Sequence, residues 1–120
     1  MFSEACRFFI IMRFITNITF VVSPSYETKL LEYLRSFLIP KIFTPASPAS
    51  EPEIRKVVEI GGERPPLEHG ISVALSAKFL SRQEVRFWED KFLSPALTDF
   101  NKKLGKESVF FITLLENLDI

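Results

Sequence analysis

Cysteine is nearly absent from this chain: Cys6 stands alone among 120 residues. One thiol cannot close a disulfide within the chain, so nothing points to an oxidising compartment, and the expectation is a cytoplasmic protein. Histidine is as scarce, with His69 alone. One cysteine and one histidine give no support to a Cys/His zinc centre, and no metal is expected. Net charge is absent too, with 15 basic residues against 15 acidic ones. That balance argues against a protein whose main task is neutralising phosphate backbones, so no nucleic-acid partner is expected. It also removes one brake on self-association. Long apolar runs are missing. Phe8 to Met12 is ended by Arg13, whereas a membrane span needs about 20 apolar residues and a signal core about 7–15 before a cleavage site. No membrane partner is expected.

Phenylalanine, by contrast, is abundant at 13 residues. Each ring contributes about 1.5–3 kcal/mol when fully buried. The length fits one domain with one core. Residues 1–11 read as an N-terminal extension, either of the first strand or of an upstream start site. Residues 12–120 read as a single α+β domain.

The first strand runs from about Met12 to Val22. Met12, Phe14, Ile18, Phe20 and Val22 share one face, and Arg13, Ile15, Asn17, Thr19 and Val21 the other. Ser23-Pro24 then suits the start of a helix, serine as cap and proline in the first position. Leu30, Tyr33, Leu34 and Phe37 recur at helical spacing, and Pro40 predicts an end or kink near residue 38. The prolines of 45–52 predict a loop. A second strand is predicted over 53–60, with Ile54, Val58 and Ile60 on one face and Arg55, Val57 and Glu59 on the other. Gly61-Gly62 closes it. The third strand, 71–79, alternates most cleanly: Ile71, Val73, Leu75, Ala77 and Phe79 against Ser72, Ala74, Ser76 and Lys78. Ser81 and Glu84 fit a capping box. The stripe Val85, Trp88, Phe92 and Ala96 follows, then a restart at Pro95 that carries Leu97, Phe100 and Leu104. The last strand is predicted over 108–115.

The order β-α-β-β-α-β is the ferredoxin-like pattern. It predicts a four-stranded antiparallel sheet with both helices on one face and the third strand inside the sheet. The strand Phe14-Ile15-Thr16-Asn17-Ile18-Thr19-Phe20-Val21-Val22, the helix ending in Leu38-Ile39-Pro40 and the last strand resemble a family of short uncharacterised bacterial proteins catalogued as a domain of unknown function. The resemblance spans about residues 12–118. It implies a ferredoxin-like domain of the dimeric α/β-barrel type and brings no catalytic residues.

No nucleotide loop, nucleophile elbow or metalloprotease helix is present. Gly61-Gly62-Glu63-Arg64 reads as a turn, since no helix start follows it. His69 sits in a turn beside Gly70. The outer face of the third strand offers no aromatic for base stacking, which argues against an RNA-recognition module. The small polar residues Asn17, Thr19, Ser72 and Ser76 fall on the face away from the helices. They read either as a solvated surface or as the floor of a small-molecule cavity roofed by a second subunit. Asn17 and Trp88, with Phe87 to Phe92 around the latter, also resemble haem-degrading monooxygenases of this fold class. Those enzymes need a histidine farther along the helix, where Leu97, Thr98 and Asp99 stand. No cofactor is therefore expected, and Trp88 suits the core as well as a ligand site. The function reads as a small homodimeric ligand-binding or structural domain. The alternative is a cofactor-free or haem-related oxygenase or isomerase, and whether the chain is an enzyme stays open. The last strand is apolar on both faces, Val109, Phe111 and Leu115 against Phe110, Ile112 and Leu114. A twofold interface is expected to join Ile15 and Val21 with Phe110, Ile112 and Leu114, or with the alternate set.

Overall fold

The computed structural model describes residues 12–58 and 70–118. Cys6 and the rest of 1–11, residues 59–69 with the glycine turn and His69, and the last two residues lie outside that description. Four strands form one antiparallel sheet in the order β2-β3-β1-β4. They are β1 (Phe14–Val22), β2 (Ser50–Lys56), β3 (Ile71–Phe79) and β4 (Ser108–Glu116). Two helices, α1 over 24–42 and α2 over 82–104, complete the α+β fold. The third strand lies inside the sheet, as the ferredoxin-like order predicts.

β1 organises the sheet. It pairs with β3 through Phe14↔Phe79 to Val22↔Ile71 and with β4 through Phe14↔Glu116 to Val22↔Ser108. Phe14, Thr16, Ile18, Phe20 and Val22 are buried under the helices. So are Val73, Leu75, Ala77 and Phe79 of β3. Phe20 lies between Phe100 of α2 at 5.0 Å and Phe110 of β4 at 6.1 Å, and these two rings meet edge-on at 6.0 Å. This three-ring contact joins strand, helix and edge strand in the core.

Both prolines expected to break helices instead lie inside them. In α1 a wide π turn spans Leu34–Leu38, with Ile39 N–H bonding back to Leu34 O. Pro40 comes directly after it. In α2 the same turn spans Glu89–Leu93, Ser94 N–H bonds to Glu89 O, and Pro95 follows. In a regular α-helix the proline ring would press on the carbonyl four residues back and leave it unbonded. The π turn inserts one extra residue and re-aims that carbonyl. The helices therefore continue to Ile42 and Leu104, past the stop near residue 38 and without a restart at Pro95. The extra residue also shifts the apolar phase. Leu93 is buried where regular spacing favours Phe92, and Leu38 and Ile42 are buried while Phe37 is exposed.

Two caps differ in detail. Ser81 Oγ accepts from Glu84 N–H at 3.2 Å, as expected, but the Glu84 carboxylate takes the N–H of Leu80. Ser23 adopts extended backbone before Pro24 without its hydroxyl capping the helix.

β2 begins earlier than its apolar pattern indicates. Ser50, Glu51 and Pro52 belong to it, and it ends at Lys56 rather than near residue 60. The early start is accommodated by a bulge between Ser50 and Glu53, where Glu51 takes a left-handed φ of 53°. Proline is tolerated there because β2 is an edge strand and the bulge leaves its missing N–H without consequence. No helix of the described residues is long and apolar enough to cross a membrane.

Thr16 is the exception in the core. It is 1 % exposed, and its hydroxyl has no hydrogen-bond partner among the described residues. Thr16→Val keeps the shape and removes an unpaired buried group. The variant is expected to gain about 1 kcal/mol in denaturant unfolding, and a loss of stability would show that the hydroxyl is satisfied in solution.

Candidate functional site

The open face of the sheet is built by the odd-numbered residues of β1 and their register partners. Four aligned rows cross it. The central row is Glu53, Ser76, Asn17 and Thr113, one residue from each strand. Beside it runs Arg55, Ala74, Thr19 and Phe111, and beyond that Ser72, Val21 and Val109. On the other side lie Lys78, Ile15 and Leu115. The face therefore grades from charged at β2, through small polar groups at the centre, to apolar at β4.

Asn17, Thr19, Ser72 and Ser76 are brought together on this face, on adjacent central strands. Asn17 Nδ2 donates to Thr19 Oγ1 at 3.5 Å. Ser76 is 6 % exposed, and its Oγ accepts from Arg55 Nη1 at 3.3 Å. Arg55 is also ion-paired with Glu53, and Lys78 with Glu51 at 3.1 Å. Arg55 and Glu53 are the residues that sequence reasoning missed. The alternation did set Arg55 apart from Ile54, but only the bulged register shows that both charges share the row system of Ser76.

Trp88 belongs elsewhere. It is fully buried on the helix side, 4.9 Å from the Phe79 ring, and its Nε1–H donates to Ile42 O at 2.8 Å. The sheet separates it from Asn17, so it does not line the open face. Its indole caps a carbonyl left unpaired at the end of α1. The interface set also changes. Phe110, Ile112 and Leu114 stand opposite Phe20, Ile18 and Thr16, on the helix side. The residues of β4 that share the open face with Ile15 and Val21 are Val109, Phe111 and Leu115. Sequence could not choose between the sets because β4 is apolar on both faces.

A group of titratable side chains lies on the outer side of the helices instead. The Tyr33 hydroxyl donates to Asp99 Oδ2 at 2.5 Å, joining α1 to α2. Lys41 and Lys103 approach the same oxygen at 3.5 and 3.7 Å. The hydrogen bond from Tyr33, then the nearby Lys103 and Lys41 ammonium groups, lower the Asp99 pKa. Burial, then the Asp99 hydrogen bond and charge, push the Tyr33 hydroxyl well above its ordinary value. Lys103 also lies over the rings of Tyr33 and Phe37, at 5.9 and 5.3 Å. This is an interhelix brace, beside a small pocket lined by Lys29, Glu32, Tyr33, Phe37 and Lys103. Among the described residues, no cluster of three or more His, Cys, Asp or Glu could hold a metal ion.

No family model matches the chain, and no curated protein matches it. Solved structures do. An ethyl tert-butyl ether degradation (EthD) family protein of Bacillus halodurans superposes with a TM-score of 0.60 at 11% identity, over 88% of this chain and 99% of that one. Rv0793 of Mycobacterium tuberculosis gives 0.57 at 14%, over 89% and 97%. A monooxygenase from the gene ActVA-Orf6 of Streptomyces coelicolor, in complex with the ligand nanaomycin D, gives 0.53 at 15%, over 91% and 92%. At such identities the likeness shows the fold, and the fold is ferredoxin-like.

The Tyr33–Asp99 brace makes stability depend on pH in a defined direction. The folded carboxyl titrates below its ordinary value of 3.8, so its contribution is complete above that value and is lost as pH falls through the folded pKa. Tyr33→Phe is expected to melt below the parent protein at neutral pH, with the gap closing as the solution is acidified past this range. Melts recorded across pH check this, and a gap that persists in acid would refute it.

Proposed function

We propose that the chain is a small homodimeric ligand-binding domain in which a second copy covers the open face of the sheet. The observation that carries this reading is the graded face itself. A polar row crosses all four strands, flanked by charged side chains at β2 and apolar ones at β4, on the side that the helices leave bare. The apolar part, Ile15, Val21, Val109, Phe111 and Leu115, suits burial against its own twofold copy. The small groups Asn17, Thr19, Ser72 and Ser76 leave volume beside it and supply hydrogen bonds that orient a small molecule. Arg55 extends that floor with a guanidinium donor. The ActVA-Orf6 monooxygenase, which holds nanaomycin D on the same fold, supports the view that this architecture accommodates a small organic ligand.

The rival reading is a cofactor-free oxygenase or isomerase working in the same space. An enzyme of that kind needs a proton-transfer group at the floor. The residues there are hydroxyls, an amide and the ion pairs Glu53–Arg55 and Glu51–Lys78, which favours binding over catalysis. The haem-related form loses its main support with Trp88 turned into the core. Thr98 offers no axial ligand in its place, its hydroxyl bonding to Ser94 O at 3.0 Å.

Screening metabolites by thermal shift tests the binding reading. A ligand at about 100 times its dissociation constant stabilises a domain by about 2.7 kcal/mol. For any ligand found, Asn17→Ala and Ser76→Leu are expected to weaken binding. Unchanged affinity in both folded variants would move the site off this face. Dimerisation has its own check: Val21→Lys introduces a charge into the apolar part, beside Val109, and is expected to reduce the mass seen in sedimentation equilibrium.

A further inference from the structure

Among the described residues no strand pairs with the outer edge of β4. The ladder shows which backbone groups face that edge. Asn117 N–H donates to Arg13 O at 2.8 Å, one step beyond the Phe14↔Glu116 pair. Odd-numbered residues of β4 therefore bond inward to β1. Ser108, Phe110, Ile112, Leu114 and Glu116 turn their N–H and C=O groups outward. The side chains of these same residues lie on the helix side of the sheet. Ile112 and Leu114 are 39 % and 40 % exposed there, so the helices stop short of them. Pairing of the open faces leaves them bare as well, because it covers the opposite side.

We propose that β4 pairs edge to edge with β4 of a second copy, antiparallel about a twofold axis at Ile112, so that the two sheets become one. The strand runs nine residues from Ser108 to Glu116, and Ile112 is its midpoint. In this register each outward backbone group of one copy meets an outward group of the other. Phe110 comes opposite Leu114 of the other copy, and Val109 opposite its Leu115. The strand carries no charge before Glu116, so no like charges meet along it. Glu116, which Arg13 of its own chain approaches at 3.5 Å, comes opposite Ser108 of the other copy and diagonal to its Lys106, a residue with no ion pair among the described residues. The bare Ile112 and Leu114 side chains of the two copies then form one apolar patch between the two α2 helices. A second copy is favoured over a foreign segment because the strand is complementary to itself about this axis: its apolar residues oppose one another, and its one acid comes near a base in the turn before the strand of the other copy. This contact is separate from the face-to-face pairing, and the two together join face-paired dimers into an assembly larger than a dimer.

Ile112→Pro removes one outward donor and leaves the inner ladder to β1 intact, the position at which proline is tolerated in an edge strand. Val21→Lys disrupts only the open face. Sedimentation equilibrium on the full chain is expected to show that Val21→Lys leaves a dimer, which the added Ile112→Pro converts to a folded monomer. A parent dimer that Ile112→Pro splits and Val21→Lys does not would support the edge contact and refute the face contact. A Val21→Lys monomer, or a mass that Ile112→Pro leaves unchanged, would overturn the edge contact. The latter includes a monomer merely destabilised by the proline, whose edge is covered from within its own chain. Crosslinking gives a second reading that does not depend on proline. In a Cys6→Ser background, Ile112→Cys brings two sulfurs across the axis, with Cα atoms about 5.5 Å apart and within disulfide range. Leu114→Cys does not. Oxidation is expected to link the first variant and not the second, and equal or absent linkage would overturn the register.

Discussion

The alternation of β1 is the constraint on which the rest of the molecule depends. This strand is hydrogen-bonded on both sides, and its nine residues divide without exception between core and open face. A slip of one residue would drive Asn17 and Thr19 under the helices and expose Phe20, so the hydrophobic pattern fixes the register strongly. Phe20 then locates α2 and β4 through Phe100 and Phe110. The polar row on the open face is the other half of the same pattern. Core and candidate site are thus two readings of one strand, and neither can be shifted alone.

The helices show how a sequence accommodates prolines inside a buried element. Each proline follows a π turn, and each turn advances the apolar stripe by one position. The benefit is length. By continuing to Ile42, α1 brings its final carbonyl to Trp88, which joins the two helices through a buried hydrogen bond. On the outer surface Tyr33 and Asp99 join them again. The two contacts hold the pair from opposite sides of the layer, and an early stop near Pro40 would have removed the inner one.

The parts of the fold that were legible in the sequence are those with contrast. β1 and β3 alternate apolar with small polar residues, and their faces could be read from that period, while the placement of β3 inside the sheet followed from the order of the elements. Asn17, Thr19, Ser72 and Ser76 could be placed on one face for the same reason. β2 was shifted because its start lies within a proline-rich stretch, and a bulge at Glu51 leaves no periodic trace. The faces of β4 were not legible because Phe, Ile, Leu and Val occupy both, so the pattern contains no sign to read. Trp88 was ambiguous because an indole serves a core and a ligand pocket equally well in a linear pattern. Only its neighbour across the helix pair, the Ile42 carbonyl, decides between them. Arg55 was overlooked because its role depends on Ser76 two strand positions away in space and 21 residues away in sequence.

The bulge in β2 has a consequence for how the sheet can grow. That edge carries a proline, a left-handed residue and a row of paired charges, the devices by which edge strands avoid being extended. The opposite edge has none of them between Ser108 and Glu116. A sheet with two open ends can add copies indefinitely, as fibres do. A sheet with one blunted end has valence one along this direction, and growth by strand addition through like edges closes at a pair. The awkward sequence Ser50-Glu51-Pro52 thereby blunts the β2 edge against extension by strand addition.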